Sequence, residues 1–347
     1  MNILRSHLAQ ELNTRVFAPR LKTVLSVKEV NALVDGIGDV VLTLVLAGGV
    51  VRLAGLGTFR LRFTAAHDHW DPRKKKTCLK PGKWRIFFKP LPSTRKLLSV
   101  AKEVDGDVGI IKFNRPHVLN AVNEGLARDL VTALEAARDD TSVRVVVLKG
   151  EGRAFCAGAD LKEGARERPL GQYREHAARL QRVAHLVVGL GKPIIAAVQG
   201  YALGAGCEFA MICDIRIAAE DARFGFPETG VGATVTTGGT QILPRLVGAG
   251  RAKELFFTGD MVEAKEAERM GLVNKVVPLK DLDRATMEMA RKIASKFPLS
   301  IKLTRACVDS AFESSLSAVL EAELEAACLS FLSGDRRVGM TDAMRKK

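Results

Sequence analysis

Apolar residues recur at helical spacing at Leu4, Leu8 and Leu12, and again at Val27, Val30, Leu33, Val34, Ile37, Val41, Leu44 and Val45. These predict two amphipathic helices, the second ended by Gly48-Gly49. From 50 to 63 the pattern changes to strand-like alternation, and a second apolar strand is predicted over 84–88 beyond a very polar stretch, 68–82. That stretch is too polar to bury itself and reads as an extended arm on a two-stranded ribbon. Beyond residue 98 the pattern changes again. Strands are predicted over 108–113, 143–149 and 194–198, alternating with helices over about 122–137 and 170–188. Past Pro244 the chain reads as mainly helical, over 285–293, 301–312 and 316–332.

Charge divides the chain at the same place. Residues 1–100 hold 18 basic and 6 acidic side chains, net +12, whereas the other 247 hold 35 and 33, net +2. Two physically different pieces are therefore joined, at residues 1–98 and 106–347, with 99–105 predicted as a short linker. Net charge speaks to partners rather than to fold. Six cysteines without a C-x-x-C pair do not read as a disulfide framework in a chain of 347 residues, which suits a reducing, cytoplasmic setting. The longest apolar stretch, 40–51, is too short to span a bilayer, so no membrane association is expected.

In the basic segment the chemistry is cationic: Arg73, Lys74, Lys75, Lys76, Lys80 and Lys83 lie on or beside the predicted arm, with Pro72 near its tip. Such a run taken alone is as well explained as a solvated face. Its setting is more specific, because Gly55-Leu56-Gly57-Thr58-Phe59 and Phe88-Lys89-Pro90 frame it. These motifs resemble the G-F-G-T-F and F-K-P signatures of the HU/IHF family of bacterial DNA-architectural proteins. The resemblance implies an α+β module of helices plus a β-ribbon arm, which binds duplex DNA. Pro72 then falls on the proline that, in that family, wedges between base pairs, and the flanking cations would neutralise phosphates. Two departures stand out: Asp71 precedes the proline, and Lys75 stands where the family has a turn glycine.

In the neutral segment three loops interrupt the pattern: Phe155-Cys156-Ala157-Gly158-Ala159-Asp160, Gly200 to Glu208, and Phe224-Gly225-Phe226-Pro227-Glu228. Small residues let backbone N–H groups approach a ligand, and a pair of such loops can form an oxyanion hole. Each piece has a plainer reading. Gly204-Ala205-Gly206 does not fit G-x-G-x-x-G, Glu208 could simply complement a helix dipole, and Glu228 could be a surface carboxylate.

Together with Asn114-Arg115-Pro116, Leu119-Asn120-Ala121, Gly238-Gly239-Thr240-Gln241 and Leu243-Pro244-Arg245, these loops resemble the enoyl-CoA hydratase/isomerase (crotonase) superfamily. The resemblance implies an α/β spiral of ββα repeats, followed by a C-terminal helical region that builds a trimer. It further implies that the amides of Ala159 and Ala205 bind the thioester oxygen of an acyl-CoA, that Ala157, Gly158, Asp160 and Gly204 line the substrate, and that Glu208 is the base and Glu228 the acid of a hydratase. Coenzyme A belongs to the substrate, so neither cofactor nor metal is expected. Val235-Thr236-Thr237 departs from the family's Pro-Gly-Ala and is expected to narrow the water's corner. An isomerase of the same fold therefore remains open, as does a DNA-architectural protein with a non-catalytic crotonase scaffold. Two-fold DNA modules on three-fold enzymes predict a homo-oligomer, either a trimer or, with both axes present, a hexamer.

Overall fold

The computed structural model describes residues 99–345 and, between 51 and 90, the strands of a smaller unit. The two units divide at Leu97 and Leu98. In the smaller one, β1 (Val51–Leu53), β2 (Gly57–Thr64) and β5 (Lys83–Pro90) form an antiparallel sheet, ordered β1-β2-β5. In its register Phe59 pairs with Phe88 and Phe63 with Trp84. A separate ribbon pairs β3 (His67–Asp71) with β4 (Lys76–Lys80), as predicted for the arm. Lys76 and Lys80 lie on it and Lys83 opens β5. The two predicted helices, together with Pro72, Arg73, Lys74 and Lys75, lie outside the described residues.

The larger unit is built on a six-stranded sheet. Its strands are β6 (Val100–Asp105), β7 (Val108–Phe113), β8 (Val145–Gly150), β9 (Ile194–Val198), β11 (Ile215–Ala219) and β14 (Lys275–Val277), ordered β14-β11-β9-β8-β7-β6. All pairs are parallel except β6 with β7. Parallel strands buried on both faces read as unbroken apolar runs, and a period of two divides each run between two cores. Val146, Leu148, Ile194, Ala196 and Val198 join the core that also holds α1 (Glu124–Asp139) and α3 (Leu170–Val188). Val145, Val147, Ile195 and Ala197 join a second core, against α8 (Leu282–Ala294).

Residues 99–105 are not a linker. From Val100 on they supply β6, the edge strand of the main sheet. The start of the larger unit is held further by Ser99, whose amide donates to Asp129 Oδ2 at 3.1 Å and whose carbonyl accepts from the Asn114 amide at 2.8 Å. The outward part of β6 carries exposed charge, which hid its strand character in the sequence.

After each inner strand the chain adds a short piece to a second layer. β9 leads to β10 (Tyr201–Leu203), and β11 to β12 (Arg223–Gly225). These pair in parallel, and β13 (Val262–Glu263) pairs antiparallel with β12. Parallel bridges between Cys156 and Ala202, and between Val122 and Ala159, continue this layer from the earlier turns. The result is the predicted spiral. Three more helices, α9 (Pro298–Ala311), α10 (Leu316–Ser333) and α11 (Asp335–Arg345), form the C-terminal region. Neither α9 nor α10 buries a residue within this chain, and Val308, Phe312, Leu316, Leu320, Leu324 and Phe331 are exposed.

Candidate active site

Two loops of successive spiral turns are stitched together. The Phe155 amide donates to the Gln199 carbonyl at 2.7 Å, the Cys156 amide to Tyr201 at 2.9 Å, and the Leu203 amide to Cys156 at 3.0 Å. Contact is close enough to require glycine. A Cβ on Gly158, whose φ is +86°, would stand 2.6 Å from the Leu203 carbonyl oxygen, and one on Gly206 would overlap the Cys156 carbonyl.

This stitching aims two amides. The Val122 amide donates to Gly158 at 2.7 Å and the Asp160 amide to Val122 at 2.9 Å, so Ala159 between them turns its own N–H to the other side of the loop. Ala205 opens α4 (Ala205–Met211), where an amide has no partner one turn back. Neither N–H has a protein acceptor among the described residues. The neighbouring amides are already engaged, Ala157 with Leu119 at 2.9 Å and Gly204 with Gly225 at 2.9 Å.

Both candidate carboxylates border this loop pair. Glu208 lies on the first turn of α4 and is 1% exposed. Its Oε1 accepts from the amides of Thr237 (2.7 Å) and Gly239 (3.0 Å), and its Oε2 more distantly from Thr236 (3.5 Å). Burial raises its pKa, and the three amides oppose the rise. Glu228 sits in a short 3-10 turn, Pro227–Val231. Gly204 provides its seat, since a Cβ there would stand 2.8 Å from Glu228 Oε1. Its Oε2 is buried without a partner among the described residues. Burial first, and the Glu208 charge in addition, push its pKa up to about 7.

The loop before this site is held by residues whose part was not legible. Asn120 is fully buried at φ +59° and its Nδ2 donates to the carbonyls of Glu151 (3.0 Å), Ala154 (2.8 Å) and Phe155 (3.1 Å). Its Oδ1 accepts from the Arg115 amide at 2.8 Å. Asp160, expected beside substrate, directs its carboxylate to Arg115 at 3.0 Å, so its side chain fastens the loop. The segment Val235-Thr236-Thr237, expected only to narrow the water's corner, supplies two of the amides on Glu208. Among the described residues one grouping has metal-ligand chemistry, Glu124, Glu163 and His176. Its carboxylates are already in use, with Glu124 paired to Arg179 and Glu163 accepting from the Glu124 amide at 3.3 Å. The cysteines of this unit are free.

The family model described as enoyl-CoA hydratase/isomerase matches residues 103–346, and that described as bacterial DNA-binding protein matches residues 4–99. The chain is 39% identical over 250 residues to a crotonyl-CoA hydratase of Syntrophomonas wolfei, covering 72% of this chain and 96% of that protein. It is 40% identical over 253 residues to a short-chain-enoyl-CoA hydratase of Clostridium acetobutylicum, covering 73% and 97%. The crystal structure of an enoyl-CoA hydratase from Bacillus anthracis superposes with a TM-score of 0.69 at 37% identity, covering 72% of this chain and 97% of that one. The stitched loops and their two carboxylates thus lie wholly inside the matched segment, and the chain belongs to the enoyl-CoA hydratase/isomerase family, preceded by a segment of the bacterial DNA-binding protein family.

Proposed function

We propose that residues 99–347 add water across the 2,3 double bond of an enoyl-CoA thioester, and that residues 1–98 bind duplex DNA. The observation that carries the first part is the contrast between two carboxyl groups flanking one amide pair. Glu208 accepts backbone N–H bonds, which suits an ionised carboxylate. Glu228, raised to about 7 with one oxygen unpartnered, suits a carboxyl that still holds its proton. In the proposed reaction the thioester oxygen lies between the amides of Ala159 and Ala205, which stabilise the enolate charge. Glu208 takes a proton from water while the water oxygen bonds to C3. Glu228 delivers its proton to C2, leaving Glu208 protonated and Glu228 ionised, and one proton transfer resets the pair. No group beyond the thioester and water is consumed. Isomerisation moves a proton between two carbons and needs a single acid–base group, so the pair favours hydration.

The test is loss of enoyl absorbance with short-chain enoyl-CoA. Glu208→Gln and Glu228→Gln should each lower kcat by about 10²–10⁴-fold while thioester binding survives. No hydration by the unchanged protein would leave the scaffold reading, and dependence on one glutamate alone would favour the isomerase.

The DNA reading is supported by the family match, the net charge of +12 in residues 1–100 and the lysines of the β3–β4 ribbon. A mobility shift that weakens steeply with salt tests it. The exposed apolar residues of α9 and α10 support assembly through the C-terminal helices. With two-fold DNA modules, the closed arrangement is a hexamer, which light scattering distinguishes from a trimer.

A further inference from the structure

Thr237 is the residue that the proposed chemistry leaves unexplained. Its side chain is 1% exposed, its amide donates to Glu208 Oε1 at 2.7 Å, and its hydroxyl is buried with no hydrogen-bond partner among the described residues. A buried hydroxyl left unpaired is costly, so its presence here calls for a role. The hydroxyl lies within reach of the carboxylate that the amide already holds, although its resting geometry falls short of a hydrogen bond to it. Packing alone would be served by an apolar side chain of the same shape.

We infer that the Thr237 hydroxyl is a positioning group for Glu208, turning about χ1 to donate to the ionised carboxylate and so keeping the proposed base charged and aimed. The inference rests on the hydratase reading and deepens it, because it concerns the same carboxylate. Direction agrees: the Thr237 side chain favours the ionised form of Glu208, against the rise caused by burial. The other groups that bear on this titration are few. Glu228 faces the site across Gly204, and Cys207, its thiol raised by burial, neighbours Glu208 on α4. Arg216, behind them, spends its guanidinium on the carbonyls of Leu272, Met211 and Cys213.

The test compares Thr237→Val, which keeps the branched shape and removes the hydroxyl, with Thr237→Ser, which keeps the hydroxyl. A hydrogen bond to a charged group is worth about 1.5–3 kcal/mol, which corresponds to roughly a tenfold or larger change in ionisation. The acid limb of the kcat/KM profile should therefore move upward by about one pH unit or more in Thr237→Val, with KM nearly unchanged, and return in Thr237→Ser. Thr237→Ala supplies the same comparison should the valine variant not fold. Carboxyl infrared titration, with Glu208→Gln assigning the band, reads the same shift without turnover. If neither hydration nor a titrating Glu208 band is found, the hydratase reading fails. A wild-type profile and band in Thr237→Val, or a serine variant that behaves like valine, would overturn the inference while leaving hydration intact.

Discussion

Replacing Glu228 by Gln should stabilise the protein while disabling it, and the gain should depend on pH. The carboxyl ordinarily titrates near 4.5 and is held at about 7 in the fold. Below about pH 4.5 both folded and unfolded chains are protonated and the residue is neutral in the balance. As pH rises toward 7 the unfolded chain releases its proton while the folded one retains it, so the folded state loses stability. Above 7 the loss is complete. At about 1.4 kcal/mol per pH unit the full difference is about 3 kcal/mol. The group is only partly buried, and solvent screening reduces this to about 1–2 kcal/mol. Glutamine carries no such penalty. At about pH 8, Glu228→Gln should unfold at higher urea than the wild type, with Tm higher by about 2–4 °C, and the gap should shrink to about a quarter at about pH 5. Both proteins must be compared at one protomer concentration, since the proposed assembly would add to apparent stability. A gap that is flat between those pH values would refute the argument that Glu228 holds its proton in the fold.

Gly206→Ala should be strongly destabilising, by about 3 kcal/mol or more, because its methyl overlaps the Cys156 carbonyl and forces the stitched loops apart; urea midpoints and residual hydration check it together. Asn120→Ala removes three donations to loop carbonyls, two of them buried, and puts alanine at positive φ, so a loss of about 3 kcal/mol is expected by the same unfolding assay, with kcat falling more than KM rises. Substituting Lys74, Lys75 and Lys76 by Ala should lower the salt slope of DNA binding by about 2–3 and leave hydration unchanged.

The inner strands were legible because strands buried on both faces cannot disguise themselves: 194–198 is unmixed with surface pattern, 108–113 is broken only by Lys112, and their bounds agree with β9 and β7. β6 was read as a linker because an edge strand has one partner, and its later residues carry charge into solvent. β10 and β12 were not separable by periodicity, since three-residue strands are set by what they pair with. At the site, the motifs identified Glu208 and Glu228 but not what holds them. The amides on Glu208 come from residues 28 to 31 positions later, a distance that no local pattern encodes. Asn120 was visible within a motif, yet its side-chain bonds depend on a left-handed backbone that sequence spacing does not reveal.

The parallel register of β10 with β12 sets Leu203 opposite Gly225, and from those positions one step leads to Gly204 and three steps to Glu228. The Glu228 carboxyl is thus placed by counting residues from a fixed pairing. An extra residue at the exposed turn around Glu220 and Asp221 lies before the pairing begins and can be absorbed as a longer loop. One inserted between Gly225 and Glu228 has nowhere to go, and carries the carboxyl off its glycine seat. Chain length is therefore free to vary on the outside of this turn and fixed on the inside.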